Sequence, residues 1–350
     1  MPKIRILVVG CGHMGGAHAR AYHALEDFEI VGLVARTDGT REKLMEEIGE
    51  YPRFSGYHEA LKRTRPDAVS INTYPGTHAP FALAALEAGA HVFVEKPLAQ
   101  SIEAAQGILA LARRQGKQVL VGHLLHYHAA YRRFIDLAKA LGRPLVMRIS
   151  LNQQSDGRRW ERQKYILSES SPLLDCGVHY LDIMNRIMGG PPVRVQAMGA
   201  RLGAQPAPTH PNYGMLQAFY ADGSVGWFES GWGPMMGRES DTLRDAVGPE
   251  GSVTLQSPQG SPASSGRRTA RLILHSSRLD AAGDFIQPDE VEEIQDEPTH
   301  RELCRLEQEY FLRAIRENLD LGDHHGHVLD SLAAALAAER ALAEGRSVDL

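Results

Sequence analysis

The sequence predicts an α/β protein that begins with a doubly wound parallel sheet and continues with an open, mostly antiparallel sheet. Up to about residue 124, apolar strand-like runs alternate with helical stretches, as in a parallel sheet covered on both faces. Beyond residue 125 the predicted strands are longer, and few helices separate them. We therefore expect a Rossmann domain over residues 1–124 and an α+β domain over residues 125–350, whose C-terminal helices pack back on the first domain.

Each element of the first domain has a local signal. The strands are near-continuous apolar runs: KIRILVVG, FEIVGLVA, PDAVSINT, AHVFVEKP and KQVLVGH. Between them lie the predicted helices: HMGGAHARAYHAL, TREKLMEEIG, THAPFALAALEAG and SIEAAQGILALARRQG. We expect the third of these helices to take Thr77 as its N-cap, to hold Pro80 in its first turn and to end at Gly89.

The second domain is dominated by strand patterns. They are RPLVMRISLNQQ, PVRVQAMGARLG, YGMLQAFYADGSVGWFESGW, GSVTLQS and ARLILHSS. One helix, LLDCGVHYLDIMNRIMG, lies among them, and Gln259–Arg268 forms a loop. Two helical stretches close the chain, and the segment Asp323–His327 (DHHGH) is predicted to be a solvated loop before the last of them.

Composition narrows the class of protein. The formal charge of −5 offers no basic surface for nucleic acid, and no apolar run is long enough to span a bilayer. The three cysteines, Cys11, Cys176 and Cys304, are too few and too scattered for a disulfide framework or a zinc knuckle. We expect a soluble cytoplasmic protein with reduced thiols, no nucleic-acid partner and no membrane partner.

The most informative local pattern is G-x-G-x-x-G at Gly10, Gly12 and Gly15, directly after the first strand. In this context Gly10 permits the tight turn, Gly12 lets the backbone approach a pyrophosphate, and Gly15 lets the helix pack close to the strand. The helix N-terminus then faces the phosphates with free N–H groups. The pattern predicts a dinucleotide site that also includes His13 and Met14.

The residues after the second strand bear on the choice of dinucleotide. An acidic residue about 20 positions past the glycines commonly holds the ribose 2′-OH of NAD. Here that position is Ala35, followed by Arg36 and Thr37, and Asp38 lies three residues late. An arginine with a hydroxyl neighbour suits a 2′-phosphate, so the sequence favours NADP over NAD.

Five segments together resemble a known family. Glu95, Lys96 and Pro97 follow a strand at the sheet edge where ligands bind in open α/β sheets. With the glycine loop, Asn72–Pro80 (NTYPGTHAP), the D-x-G-x-H-x-x-D pattern in Leu173–Met184 and the ending EGRSVDL, they make the sequence similar to the Gfo/Idh/MocA oxidoreductases.

The resemblance implies an NAD(P)-dependent dehydrogenase that oxidises a secondary hydroxyl of a sugar, inositol or related polyol. It implies catalytic roles for Lys96, Asp175 and His179. A histidine suits the general base, a carboxylate beside it can orient the ring or bind a hydroxyl, and a lysine can stabilise alkoxide charge. Two alternatives remain: an NAD-dependent glycoside hydrolase on the same fold, and a non-catalytic dinucleotide-binding sensor.

Further site residues are expected, some from the resemblance and some, among them His126, Arg158 and Trp160, from the chemistry of residues near the expected pocket. The cofactor contacts are expected to include Asn72, Thr73, Tyr74, His78, Glu95, Lys96 and Pro97, with a cis peptide bond before Pro97. The substrate contacts are expected to include Lys96, His123, His126, Arg158, Trp160, Asp175 and His179, with Lys164 a further pocket candidate. Asp182 is assigned a structural role, and no metal is expected at His123, His126 and His128 or in DHHGH. Relatives use the second sheet for assembly, which implies a homodimer or homotetramer.

Overall fold

The structure is a computed structural model that describes residues 2–203, 210–237, 242–256 and 269–350. It divides into two compact units. The first unit consists of residues 1–127 and 299–329, and the second consists of residues 128–298 and 330–350. The loop prediction for Gln259–Arg268 lies outside the described residues.

Eleven α-helices lie within the described residues. In chain order they are α1 (His13–Ala24), α2 (Asp38–Ile48), α3 (Tyr57–Thr64), α4 (Pro75–Glu87), α5 (Ile102–Gln115), α6 (Ala129–Lys139), α7 (Gly157–Ile166), α8 (Pro172–Asp175), α9 (Gly177–Met188), α10 (His300–Glu317) and α11 (Gly322–Glu344). A short 3-10 helix covers Leu124–Tyr127.

The first unit holds a six-stranded parallel sheet, as the sequence predicts. Its strands are β1 (Ile4–Val9), β2 (Phe28–Val34), β3 (Arg53–Phe54), β4 (Ala68–Ile71), β5 (His91–Glu95) and β6 (Val119–Gly122), in the order β3-β2-β1-β4-β5-β6. The order reverses between β1 and β4, so the ligand-binding crevice of a doubly wound sheet is expected beyond their carboxyl ends. Gly10 and Asn72 follow these two strands directly.

Helix α10 completes the core of the first unit. Thr299 caps it, because its side chain accepts from the Glu302 N–H while the Glu302 carboxylate accepts from the Thr299 N–H. The helix packs against α1, and Phe311 enters the same apolar cluster as Tyr22 and Phe93. Residues late in the chain therefore bury the α1 side of the parallel sheet.

The second unit holds a nine-stranded sheet that is mostly antiparallel, which confirms the predicted fold class. Its strands are β7 (Val146–Gln154), β8 (Arg194–Ala200), β9 (Tyr213–Phe219), β10 (Val225–Gly233), β11 (Arg244–Gly248), β12 (Gly251–Gln256), β13 (Ala270–Ser276), β14 (Glu290–Ile294) and β15 (Val348–Asp349), in the order β14-β13-β12-β11-β7-β10-β9-β8-β15. Only the β7–β10 pair among them is parallel. The ending EGRSVDL supplies the edge strand β15, which pairs with β8.

Two local predictions about helices need correction. Helix α4 begins at Pro75, not after Thr77, so Pro80 lies inside the helix rather than in its first turn. The proline at N1 fixes a helical φ and needs no N–H partner there, which explains the earlier start. The predicted helix LLDCGVHYLDIMNRIMG is two helices, α8 and α9, which meet at Cys176.

The prediction that DHHGH forms a solvated loop is wrong. These residues lie in the first turns of α11. His324 Nε2 accepts a hydrogen bond from the Val121 N–H at 3.1 Å, and His325 Nε2 lies 2.8 Å from the Val119 carbonyl oxygen. Because β6 is an edge strand of the parallel sheet, the two imidazoles satisfy backbone groups that would otherwise be unpaired.

No described helix is long and apolar enough to cross a membrane.

Candidate functional site

The glycine loop has the geometry that the spacing predicts. Gly10 has φ of +90°, and a Cβ there would lie 2.5 Å from the Asn72 carbonyl oxygen. A Cβ on Gly15 would lie 1.8 Å from the Gly10 carbonyl oxygen. Both positions therefore exclude a side chain for reasons internal to the fold. Gly12 differs, because a Cβ there would meet no described atom within 4 Å.

This contrast fits a bound dinucleotide. Gly12 is the N-cap of α1 and provides no side-chain cap, and the first turn of α1 has no acidic residue. The N–H groups of a helix's first turn and the positive end of its dipole suit an anion. The open space at Gly12 is where the backbone could approach a pyrophosphate. The residues present therefore fit the phosphates of a dinucleotide.

The end of β2 holds the residues that bear on the ribose. Ala35 is buried, while Arg36 is exposed, and its guanidinium carbon lies 5.7 Å from the centre of the Tyr74 ring. Asp38 is paired with Arg41, which also donates to the Phe54 carbonyl oxygen. The Asp38 carboxylate is thus already paired with Arg41, while Arg36 is an exposed cation beside Tyr74.

The loop after β4 is held by its own side chains. Asn72 is nearly buried, and its amide donates to the Ser70 carbonyl oxygen and hydroxyl at 3.1 and 3.0 Å. The hydroxyls of Thr73 and Thr77 are 2.6 Å apart. His78 is buried, with Nδ1 2.7 Å from the Pro97 carbonyl oxygen and Nε2 3.0 Å from that of Thr73. The imidazole of His78 therefore joins this loop to the turn after β5.

That turn carries the E-K-P triplet. The Lys96–Pro97 peptide bond is cis, as the resemblance implies, and Lys96 is half-buried. The Glu95 side chain points into the protein, and its Oε1 lies 2.8 Å from His18 Nε2. Burial raises the pKa of the Glu95 carboxyl, but the hydrogen bond to His18, together with nearby positive charge that includes Lys96, lowers the pKa below its usual value. Glu95 is therefore a buried, charged carboxylate directly before Lys96.

His18 is a residue of this region that the sequence analysis missed. Its position could have indicated a role, since it lies about one turn after Gly15 on α1. The alanines and apolar residues around it in the sequence instead suggest a side chain that only packs in the core. The imidazole is fully buried, and its Nδ1 lies 2.9 Å from Gln308 Nε2. His18, Cys304 and Glu307 place potential metal ligands within 4.8 Å of one another. Both ring nitrogens of His18 already have hydrogen-bond partners, so a metal would have to displace one.

His123 and His126 follow β6 in the first unit. The ring centres lie 5.4 Å apart and nearly parallel, and His324 lies 6.3 Å from His123 and 6.2 Å from His126. His123 is buried and His126 is half-buried. His128, by contrast, belongs to the second unit, where it pairs with Glu297, whose carboxylate also accepts from the Ala130 N–H. His128 therefore stabilises the start of α6.

In the second unit, the D-x-G-x-H segment presents one face. Asp175, Cys176 and His179 are half-buried, while the other residues from Ser171 to Asn185 are buried. The joint between α8 and α9 keeps Asp175 and His179 on the same side, in agreement with their spacing of four. A carboxylate and an imidazole thus reach the surface together.

Aromatic side chains lie beside this face. Trp160 of α7 packs in a cluster with Leu167 and Trp232, and Cys176 and Ile166 contact the cluster. Lys164 pairs with Glu161 at 2.6 Å, and its ammonium lies 6.0 Å from the centre of the Trp160 ring. Arg158 on the same helix is exposed.

Asp182 lies deeper in α9. Its side chain is 1% exposed and accepts a hydrogen bond from Arg186 Nε at 3.1 Å, one turn further along the helix. This contact agrees with the structural role assigned to Asp182 from the sequence.

Fold and loop together define a dinucleotide-binding protein with a second, sheet-based unit, and comparison with known proteins specifies the family. Residues 4–123 match the model of an oxidoreductase family with an NAD-binding Rossmann fold, and residues 128–254 match the GFO/IDH/MocA C-terminal domain. The chain therefore belongs to the Gfo/Idh/MocA oxidoreductase family.

Several characterised relatives share parts of the chain. It is 28% identical over 201 residues to UDP-N-acetylglucosamine 3-dehydrogenase of Acidithiobacillus ferrooxidans, covering 57% of this chain and 59% of the relative. It is 26% identical over 260 residues to scyllo-inositol 2-dehydrogenase (NAD(+)) of Bacillus subtilis, covering 72% and 73%. The match thus spans less than two thirds of the first relative.

Solved structures share the whole fold. Scyllo-inositol dehydrogenase of Lactobacillus casei, solved with NAD(H) and scyllo-inositol, aligns over 99% of each chain with a TM-score of 0.76 and 19% identity. The cofactor named for this neighbour is NAD(H), as for the Bacillus subtilis relative, and the lean towards NADP finds no support in these comparisons.

Proposed function

We propose that this protein is an NAD(H)-dependent dehydrogenase that oxidises a secondary hydroxyl of a sugar, inositol or related polyol, or reduces the corresponding ketone. The observation that carries the proposal is the E-K-P turn, which places half-buried Lys96 at the carboxyl edge of a parallel sheet whose glycine loop fits a dinucleotide. Support comes from relatives named as sugar and inositol dehydrogenases.

Each catalytic residue has a role that its chemistry permits. When bound, the nicotinamide ring accepts the hydride that leaves the carbinol carbon. His179 takes the hydroxyl proton, since a neutral imidazole is a suitable base near neutral pH. Lys96 stabilises the negative charge that develops on the substrate oxygen. Asp175, on the same face as His179, orients its ring or binds a neighbouring substrate hydroxyl.

Substrate recognition in the second unit is proposed for α7 and its neighbours. Sugars bind through hydrogen bonds together with an apolar ring face. Trp160, packed beside Cys176, and exposed Arg158 supply these two kinds of contact. His123 and His126 of the first unit are proposed as further contacts to substrate hydroxyls.

The proposal for the cofactor is NAD(H), on the strength of the family model and the named relatives. The first assay is a panel of inositols, sugars and sugar nucleotides with NAD and with NADP, followed by the absorbance of the reduced cofactor. Net reduction with at least one hydroxyl substrate is expected. Glycoside cleavage without net reduction would indicate the hydrolase, and dinucleotide binding with no turnover would indicate the sensor, so either result overturns the proposal.

The second test concerns the residues. His179→Ala is expected to lower kcat by about 10²–10⁴-fold, and Lys96→Ala by a comparable factor, while dinucleotide binding persists. In the oxidation direction the kcat/KM profile should rise with pH as the base loses its proton, and His179→Ala should remove that limb. If His179 and Lys96 act together in catalysis, their effects on kcat are strongly non-additive in the double variant. His275→Ala, at a partly exposed histidine of β13 paired with Asp289, is the control. A His179→Ala enzyme with near-normal kcat would refute the assignment.

We also propose assembly into a homodimer or homotetramer through the second sheet. Val146 of β7 and Val247 of β11 are direct cross-strand partners, and both side chains are more than 40% exposed. Apolar pairs of this kind on a sheet face are commonly covered in an oligomer. Light scattering on the purified protein should give the mass of a dimer or tetramer, and Val146→Glu should shift it towards the monomer. A monomeric wild-type protein would contradict the proposal.

A further inference from the structure

The turn that carries Lys96 is fixed on both sides by buried histidines. On the N-terminal side, the Glu95 carboxylate lies 2.8 Å from Nε2 of His18, which is fully buried. On the C-terminal side, the Pro97 carbonyl oxygen lies 2.7 Å from Nδ1 of His78, which is 1% exposed. Lys96 itself is half-buried between these two anchored neighbours.

The hydrogen bonds behind Glu95 run in one direction. The Tyr22 hydroxyl donates to Gln308 Oε1 at 2.6 Å, and the Gln308 amide nitrogen lies 2.9 Å from His18 Nδ1. With Nδ1 accepting from the amide, the imidazole carries its proton on Nε2 and donates it to Glu95. The chain of donors from α1 and α10 therefore ends on the carboxylate that precedes Lys96.

A second buried acid in this cluster does not compete for the same bond. Neither carboxyl oxygen of Glu307 has a hydrogen-bond partner among the described residues. Burial raises the pKa of Glu307 well above its usual value, and the nearby Glu95 charge adds to the rise. The surroundings of Glu307 therefore favour its protonated form, and Glu95 is the acid that His18 holds.

The anchor on the other side is the imidazole of His78. Burial lowers the pKa of His78, although its contacts with the Pro97 and Thr73 carbonyls oppose the shift. The shorter of these two contacts is the one between Nδ1 and the Pro97 carbonyl oxygen, at 2.7 Å against 3.0 Å for Nε2 and Thr73. His78 thereby ties the turn to α4, and the loop just before α4 lies against the glycine loop through Asn72.

We propose that His18 and His78 are positioning residues for Lys96, which fix the backbone on either side of the lysine and so set where its ammonium lies. The inference deepens the proposed function and rests on the role of Lys96 in it. Neither histidine needs to touch the substrate. Misplacing a reacting group by about 1 Å can cost up to about 10²-fold in rate, so loss of either anchor should be visible in kcat.

The kinetic test compares variants at both anchors with a matched histidine. His18→Ala and His78→Ala are expected to lower kcat by about 10- to 100-fold. In His18→Ala, the KM for substrate and the Kd for the dinucleotide should change by less than about threefold. His91→Ala is the control. His91 begins β5, the strand that ends at Glu95, and its Nδ1 accepts a hydrogen bond from the Gln118 N–H, away from the turn that carries Lys96. In a Lys96→Ala background, neither anchor variant should lower kcat further, since both act through the lysine.

A conservative pair guards against simple misfolding at the buried His18. The amide nitrogen of Gln in His18→Gln can reach the position of Nε2 and donate to Glu95, whereas the shorter side chain in His18→Asn cannot. His18→Gln should therefore retain more of kcat than His18→Asn at similar melting temperatures. Equal kcat in the two variants, or wild-type kcat in both alanine variants while Lys96→Ala is inactive, would overturn the inference and leave the proposed function standing.

A readout without turnover separates the two proposals. The chain has seven lysines, so reductive methylation with ¹³C-formaldehyde gives few resonances, and Lys96→Ala identifies that of Lys96. Its chemical shift should move in His18→Ala and His78→Ala but not in His91→Ala. An unmoved resonance refutes the positioning role even if no substrate is found, whereas a moved resonance with active Lys96→Ala enzyme supports it and refutes the catalytic role of Lys96.

Discussion

The glycine loop allows a paired test in which the same substitution has opposite consequences at two positions three residues apart. In Gly15→Ala, the new Cβ would lie 1.8 Å from the Gly10 carbonyl oxygen and 2.8 Å from its carbon, where ordinary contacts begin near 3.4 Å. Both atoms are backbone, so α1 must move away from the loop. We expect a loss of about 3 kcal/mol or more in the free energy of unfolding, as for a severe overpacking.

Gly12→Ala should behave differently. No described atom lies within 4 Å of the new Cβ, and φ of −73° at Gly12 suits any residue. The cost in stability is that of replacing a glycine N-cap by alanine, about 1 kcal/mol or less. The methyl group would occupy the space that the pyrophosphate needs, so the affinity for a dinucleotide should fall by at least about tenfold.

Thermal denaturation and calorimetric titration with NAD measure both consequences. Gly15→Ala should lower Tm by about 6–12 °C for a unit of this size, while Gly12→Ala changes Tm by only a few degrees. If Gly12→Ala binds NAD as tightly as the wild type, the phosphates do not lie over Gly12, and the reasoning is refuted. A Gly15→Ala protein of unchanged Tm would show that the helix and the loop are less closely packed than the structure indicates.

Three further predictions concern single side chains. Arg36→Ala should weaken NADP binding more than NAD binding, because a guanidinium over the Tyr74 ring can reach a 2′-phosphate. An unchanged ratio of the dissociation constants for NADP and NAD would exclude that contact. Asp175→Asn should lower kcat less than His179→Ala does if it only orients the ring, and should raise KM if it binds a substrate hydroxyl; an unaltered kcat and KM would remove Asp175 from the site. The pKa of Glu307 is raised in the folded state, so its contribution to the free energy of unfolding is fully present below its ordinary pKa of 4.5. That contribution falls as pH rises above 4.5, by at most about 1.4 kcal/mol per pH unit. Glu307→Gln lacks this loss, so its Tm relative to the wild type should be higher at pH 8 than at pH 5, and an equal difference at both pH values would contradict the assignment.

Much of the fold could be predicted from the sequence because its signals are local. Apolar runs broken by amphipathic stretches identify the parallel strands, and each run needs only its own residues to be recognised. The same holds for Gly10, whose left-handed φ follows from the tight turn, and for the E-K-P triplet after β5. The ends of the elements were harder to predict. Helix α4 shows why: Pro75 and Pro80 both suit the first turn of a helix, and the sequence does not say which of them begins it.

What only the tertiary structure decided are contacts between residues far apart in the chain. His18 meets Glu95 across 77 residues and Gln308 across 290, and nothing near any of the three marks the pairing. From the sequence, His324 and His325 are predicted to be solvated loop residues. In the structure β6 is an edge strand, and these two histidines pair with its free backbone N–H and carbonyl groups. Hydrogen bonds of buried polar groups are obligatory, but their partners are chosen by packing, and packing is a property of the folded chain. The sequence by itself therefore determined the sheets and the glycine loop and supplied the candidates for the reactive side chains, whereas the tertiary structure decided which distant residues contact the turn that carries Lys96.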